Sequence, residues 1–253
     1  MYDKVIHINE FSHHNIQILY KMKLTANRFV GFIDILGFKN LVDSKTHDAV
    51  FKKLSALVGS FEEIKSEAPN LRIWMFSDSI LIITSDDSER SADDILFYTS
   101  VIITRALEVD LLAKGCIAYG KFTADFEKSI FFGKPLVDSY LLQEDMKMSS
   151  VILHHTMEQK LRTMNYKTVN LMEGDRCFDY QTPMKYGSVK HTHLNWLEYY
   201  HLYKTPILED KLKIFKKYQV LIEKLYLDVS GQARQYLDNT INFMNELKKH
   251  YGA

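Results

Sequence analysis

The sequence predicts an α+β fold, on three observations. Short apolar runs of strand length, rich in β-branched and aromatic residues, alternate with longer stretches whose apolar residues recur every three or four positions. Two of the runs are separated only by Ser77, Asp78 and Ser79, which marks a tight antiparallel hairpin. The resulting order is strand, helix, hairpin, helix, strand pair, helix, strand. That is a ferredoxin-like core, a central antiparallel sheet flanked by helices, with additions.

Each element follows from its own pattern. Phe29 to Leu36 is a continuous apolar run interrupted by Asp34 and closed by Gly37, and reads as the first buried strand. Val50, Phe51, Leu54, Leu57, Val58, Phe61 and Ile64 then define the apolar face of a helix from His47 to Ser66, ended by Pro69 and Asn70. Leu71 to Phe76 and Ile80 to Thr84 are the strands of the hairpin. Ser91, with Asp94 three residues on, is read as the cap of an amphipathic helix through Ile95, Ile102 and Val109. Lys114 to Phe122 and Ser129 to Phe132 form a strand pair, Leu136 to Leu142 begins a helix, and Val151 to Leu153 is a short last strand. Beyond Pro206, two helical stretches meet at Gly231: Leu212, Phe215, Ile222 and Tyr226 on one, Leu237, Ile241, Met244 and Leu247 on the other. They predict a helical hairpin packed on the core, with support of a dimer as the sharper alternative. The division expected is an N-terminal extension (1–27), a catalytic domain (28–190) and a C-terminal helical arm (191–253).

Composition narrows the function. The 253 residues are 46% apolar, enough to bury the core of one elaborated domain. Lys plus Arg and Asp plus Glu each number 32, so no basic excess points to nucleic acid or a membrane surface as partner. Cys116 and Cys177 lie far apart with no metal or redox spacing and read as structural thiols of a reducing compartment. Neither a signal-peptide pattern nor an apolar run of spanning length is seen, so a cytoplasmic, soluble protein is expected.

The chemistry concentrates on Asp34 and Asp78, each set in an apolar run. A buried carboxylate without a partner costs several kcal/mol, on the order of what a cation or hydrogen-bond donor must offset. In the ferredoxin-like topology the first strand neighbours the hairpin, so both carboxylates reach one site. Such a pair, with substrate phosphates adding oxygens, suits Mg²⁺ or Mn²⁺ better than zinc, and the Ile35 carbonyl is placed to complete the shell.

These residues carry a resemblance. FIDILGF (32–38) resembles the metal-binding opening motif of class III nucleotidyl cyclases, and FSDSI (76–80) their second metal aspartate at a hairpin, 44 residues after the first. KGCIAYGKF (114–122) is similar to the family's glycine-flanked strand, and FGKPLVDSYLLQ (132–143) to the segment entering its dimer-facing helix; the likeness spans residues 28–155. It implies a homodimer with active sites at the interface, two Mn²⁺ or Mg²⁺ ions held by Asp34, Ile35 and Asp78, and cyclisation of a nucleoside triphosphate. The departures matter equally. Trp74 stands where adenylyl cyclases carry a base-reading lysine, its partner position falls near the apolar Ile130, and Val137 and Leu141 replace the ribose and phosphate ligands. The F-x-D-x-x-G-F opening without a purine signature is most similar to the pyrimidine cyclases of the bacterial Pycsar anti-phage systems, which implies UTP in preference to CTP as substrate. A catalytically weak or inactive nucleotide-binding module is the alternative that Val137 and Leu141 favour.

Further substrate contacts are expected from Gly37, Phe38 and Lys39, whose backbone amides open a helix. Arg72 and Trp74 alternate on one strand face, and Lys114, with Lys121, flanks the glycine strand, all within reach of a nucleotide. The histidine pairs (His13 and His14, His154 and His155, His191 and His193) are not read as zinc ligands. Ser77 and Ser79 shape the turn, and Asp86, Asp87, Asp93 and Asp94 read as caps and solvated loop. Trp196, Tyr199, Tyr200 and Tyr203 read as helix packing.

Overall fold

The computed structural model describes residues 23–166, 169–170, 174–196 and 208–250. Strand β1 (Thr25–Ile35) is the axis of the sheet, because its residues bury on both sides: Phe29, Ile33 and Ile35 in a large core and Val30 in a small one. The elements that follow are α1 (Phe38–Ser44), α2 (His47–Glu67), β2 (Leu71–Phe76), β3 (Ser79–Thr84), α3 (Glu89–Glu108), β4 (Ala113–Asp125), β5 (Ile130–Gly133), α4 (Lys134–Asp145) and β6 (Val151–Leu153). Then come α5 (His155–Thr163), the two-residue strands β7 (Val169–Asn170) and β8 (Gly174–Asp175), β9 (Cys177–Met184), β10 (Gly187–Leu194), α6 (Leu208–Tyr226) and α7 (Gly231–His250).

The main sheet runs β2-β3-β1-β4-β6-β10-β9, with β5 paired to β4. Its first four strands are antiparallel in the ferredoxin-like order. The β4–β6 pair is parallel, so the sheet is mixed where a purely antiparallel one was expected. Three further details correct the sequence reading. The hairpin turn is two residues long, Ser77 and Asp78, with Ser77 at φ 56° and Ser79 already paired to Phe76. The cap of α3 is Ser88, whose side chain accepts from the Ser91 amide, and Ser91 itself is buried inside the first turn. On α2, Leu57, Phe61 and Ile64 bury as expected, but Phe51 is 73% exposed.

The large core joins one sheet face to α2 (Leu57, Phe61), α3 (Ile95, Ile102) and the helical arm (Tyr218, Ile222, Leu237, Phe243). The arm is therefore packed on the sheet. Strand β10 continues through position 190, inside the sheet, where the sequence drew the start of the arm. The smaller core, on the opposite face, holds Val30, Ile83, Phe122 and Ala124, with Leu136 of α4 against it.

Candidate active site

The site forms where β1 ends beside the β2–β3 turn. Asp34 pairs in register with Ser79 on one side and Lys114 on the other, and the Ile35 amide donates to the Asp78 carbonyl at 2.9 Å. That bond locks the turn to the strand end, so the two aspartates, distant in sequence, become neighbours. Gly115 makes the close approach of β4 possible: a Cβ there would stand 2.7 Å from the Phe32 carbonyl oxygen. Directly after Asp34 the chain turns through Gly37, at φ 71°, and enters α1.

Neither carboxylate has an ion pair or a side-chain hydrogen bond among the described residues, and both are half-buried. Desolvation first, and then the negative charge of Asp78, push the Asp34 carboxyl up to about 6. Such a carboxylate pair is short of positive charge. Its donors are hard oxygens, so the residues fit a divalent Mg²⁺ or Mn²⁺. Among the described residues no group of three or more His, Cys, Asp or Glu side chains is placed to hold a metal ion.

The remaining expected residues separate. Phe38 packs its ring on the large core, whereas Lys39 is exposed at the start of α1. Trp74 is 41% exposed and leans on Phe126 and Phe131 at ring distances of 5.7 and 5.5 Å. Arg72 is a correction: its guanidinium donates to the Pro69 and Leu71 carbonyls at 2.8 Å, at the end of β2 away from Asp78. Four residue steps of strand, about 13 Å, separate it from Phe76 at the turn. Lys114 is the second correction. It is only 3% exposed, and its ammonium donates to the Met146 and Glu144 carbonyls at 3.3 and 3.4 Å, inside its own chain. In this structure its ammonium is turned to those carbonyls and not toward open solvent.

Sequence reasoning missed two groups here. Glu144, at the end of α4, and Tyr236, on α7, both sit close enough to Lys114 and Asp34 to act on them electrostatically. The contacts are far apart in sequence, so no local pattern announces them. Among the other expectations, His193 is fully buried between the Ser150 and Thr182 hydroxyls, at 2.8 and 2.7 Å, and burial lowers it to about 3. His154 and His155 bring their rings to 4.1 Å of each other because they open α5 rather than lie on a strand. Trp196 is buried against Tyr218. Cys116 and Cys177 are free and buried. His13, His14, Tyr199, Tyr200 and Tyr203 lie outside the described residues.

No family model matches the sequence, and no curated protein matches it. Solved structures do. The adenylyl cyclase CyaB from P. aeruginosa is similar with a TM-score of 0.51 at 14% identity, over 67% of this chain and 94% of that one. The catalytic core of a rhodopsin-guanylyl cyclase with converted specificity, in complex with ATPalphaS, gives 0.50 at 13%, over 67% and 96%. The monomeric guanylyl cyclase domain of the RhoGC fusion protein from Blastocladiella emersonii gives 0.50 at 11%, over 67% and 95%. The chain thus has the fold of the class III cyclase catalytic core. No helix among the described residues is long and apolar enough to cross a membrane.

Proposed function

We propose that the protein is a nucleotide cyclase that converts a pyrimidine nucleoside triphosphate, UTP in preference to CTP, to a 3′,5′-cyclic nucleotide and pyrophosphate. The observation that carries this reading is the unpartnered pair Asp34 and Asp78 at one strand end of a cyclase fold. The two carboxylates and the Ile35 carbonyl would hold two Mg²⁺ or Mn²⁺ ions, which supply Lewis acidity at the ribose 3′ hydroxyl and the triphosphate. The Phe38 and Lys39 amides, at the helix start that Gly37 sets up, face no intrahelical acceptor and suit phosphate oxygens. In-line attack of the hydroxyl on the α-phosphorus then releases pyrophosphate.

The pyrimidine preference rests on Trp74, which presents a ring where a purine-reading lysine would stand, and on the exposed, apolar Ile130. A homodimer is supported by the apolar side chains left uncovered on the face opposite the large core. Trp74 and Phe76 share one side of β2, Phe76 being 83% exposed, and Val137, Tyr140 and Leu141 share one side of α4. Joining two such faces would complete each site from its partner. The motif likeness extends the role to a cytoplasmic second-messenger signal in anti-phage defence. The second reading, a nucleotide-binding module with little activity, is favoured by Val137 and Leu141, which bring no polar group to α4.

Purified protein incubated separately with ATP, GTP, CTP and UTP plus Mn²⁺, its products identified by mass, decides among these. Cyclic UMP as the main product is the expected result. Cyclic AMP alone contradicts the pyrimidine assignment, and no product from any nucleotide supports the binding module.

A further inference from the structure

Helix α7 reaches the reaction site through one aromatic ring. The centre of the Tyr236 ring lies 5.7 Å from the Lys114 ammonium and 5.4 Å from that of Lys147, within the range at which a ring's negative face attracts a cation. The same helix grips the loop between α4 and β6. Asn239 Nδ2 donates to the Lys147 carbonyl at 2.7 Å, and Thr240 Oγ1 accepts from the Ser149 amide at 2.9 Å. That loop begins with Met146, whose carbonyl accepts from Lys114 Nζ.

Lys114 therefore has two possible destinations. Its place in β4, directly opposite Asp34, brings it within reach of the carboxylate. Yet the two make no ion pair; the ammonium lies instead against the last carbonyls of α4, where the helix dipole favours positive charge, and over Tyr236. An ammonium on Asp34 would compete with a divalent cation for the same oxygens. We propose that α7, through the Tyr236 ring and the loop it clamps, holds the Lys114 ammonium off Asp34 and thereby keeps the carboxylate pair open to a divalent cation. Tyr236 is then a positioning residue, and the helical arm an input to the site: whatever shifts α7 lets Lys114 fall onto Asp34 and closes it. This inference rests on the reading of Asp34 and Asp78 as metal ligands.

The test is direct Mn²⁺ binding to the full chain without nucleotide, followed by the electron-spin signal of free Mn²⁺, with circular dichroism to confirm that each variant is folded. Wild type is expected to bind and Asp34→Asn to lose binding. Tyr236→Leu should weaken binding on the order of tenfold, as a coupling of this kind typically does. Tyr236→Phe, which keeps the ring, should match wild type, and Lys114→Met added to Tyr236→Leu should restore affinity by removing the competing cation. A purely structural effect of Tyr236→Leu would not be rescued at Lys114. Unchanged affinity in Tyr236→Leu, or failure of Lys114→Met to rescue it, overturns the proposal while leaving the metal reading intact. Absence of Mn²⁺ binding in wild type overturns both.

Discussion

Strand β3 separates two acidic regions that the fold treats in opposite ways. At its start, Asp34 and Asp78 are brought together without a partner, and desolvation with mutual repulsion raises Asp34 to about 6. Beyond its end, every aspartate is answered. Asp86 accepts from the Ser88 amide and from the Ser88 and Ser91 hydroxyls, Asp87 from Tyr119 and Lys160, Asp93 pairs with Arg176, and Asp94 pairs with Arg90. Burial alone would raise Asp86 and Asp87, but these bonds more than offset it and leave both below the ordinary carboxylate value. The same residue type, placed about the two ends of one strand, thus serves two purposes. Satisfied acids hold the fold, and unsatisfied ones are available for chemistry.

That contrast can be broken at either end. Asp78→Asn should lower cyclic-nucleotide formation by more than about 100-fold, since a neutral amide leaves the ions under-coordinated beside the phosphates; quantified product at saturating Mn²⁺ measures it. Next in size, Phe76→Asp or Leu141→Asp should place a charge in the uncovered apolar face and shift sedimentation from dimer to monomer, with loss of most activity. Asp87→Asn should leave turnover intact but destabilise the protein by only about 1 kcal/mol, because the partly exposed pair with Lys160 is screened by solvent. A melting-temperature fall of about 2–4 °C would report it.

A last effect of similar size has the opposite sign. The folded pKa of Asp34 lies above its ordinary 3.8, so its contribution to stability is complete below that value and is lost as pH rises through about 6. Asp34→Asn should therefore melt like wild type near pH 4 and a few degrees higher above pH 6, by about 1 kcal/mol once solvent screening of a half-exposed group is allowed for. Melting curves across that pH range, in chelator, show whether the gap opens.

Much of this was legible in the sequence for a physical reason. The β1, β2 and β3 runs have strand length and strand composition, and an aspartate inside such a run is conspicuous because it is costly. The β9–β10 hairpin was not legible, since the first four residues of β10 are exposed and give no alternating pattern. Helix α5 was missed for lack of an apolar face: only Met157 and Leu161 bury along it. Lys114 looked like a surface lysine because its burial depends on α4 and α7 packing over it, and Arg72 looked available because its capture by the Pro69 carbonyl is a matter of rotamer. The site of Tyr236 is the clearest non-local case. Its helix was predicted from its neighbours Leu237 and Ile241, but nothing in that period says which residue meets the Lys114 ammonium.

The most direct measurement is UTP turnover with Mn²⁺ in two variants side by side, Asp34→Asn and Asp87→Asn. The two carboxylates lie near opposite ends of β3, one unpartnered and one fully bonded. Cyclic UMP formation lost in the first and retained in the second is the predicted result; full activity in Asp34→Asn would contradict the account.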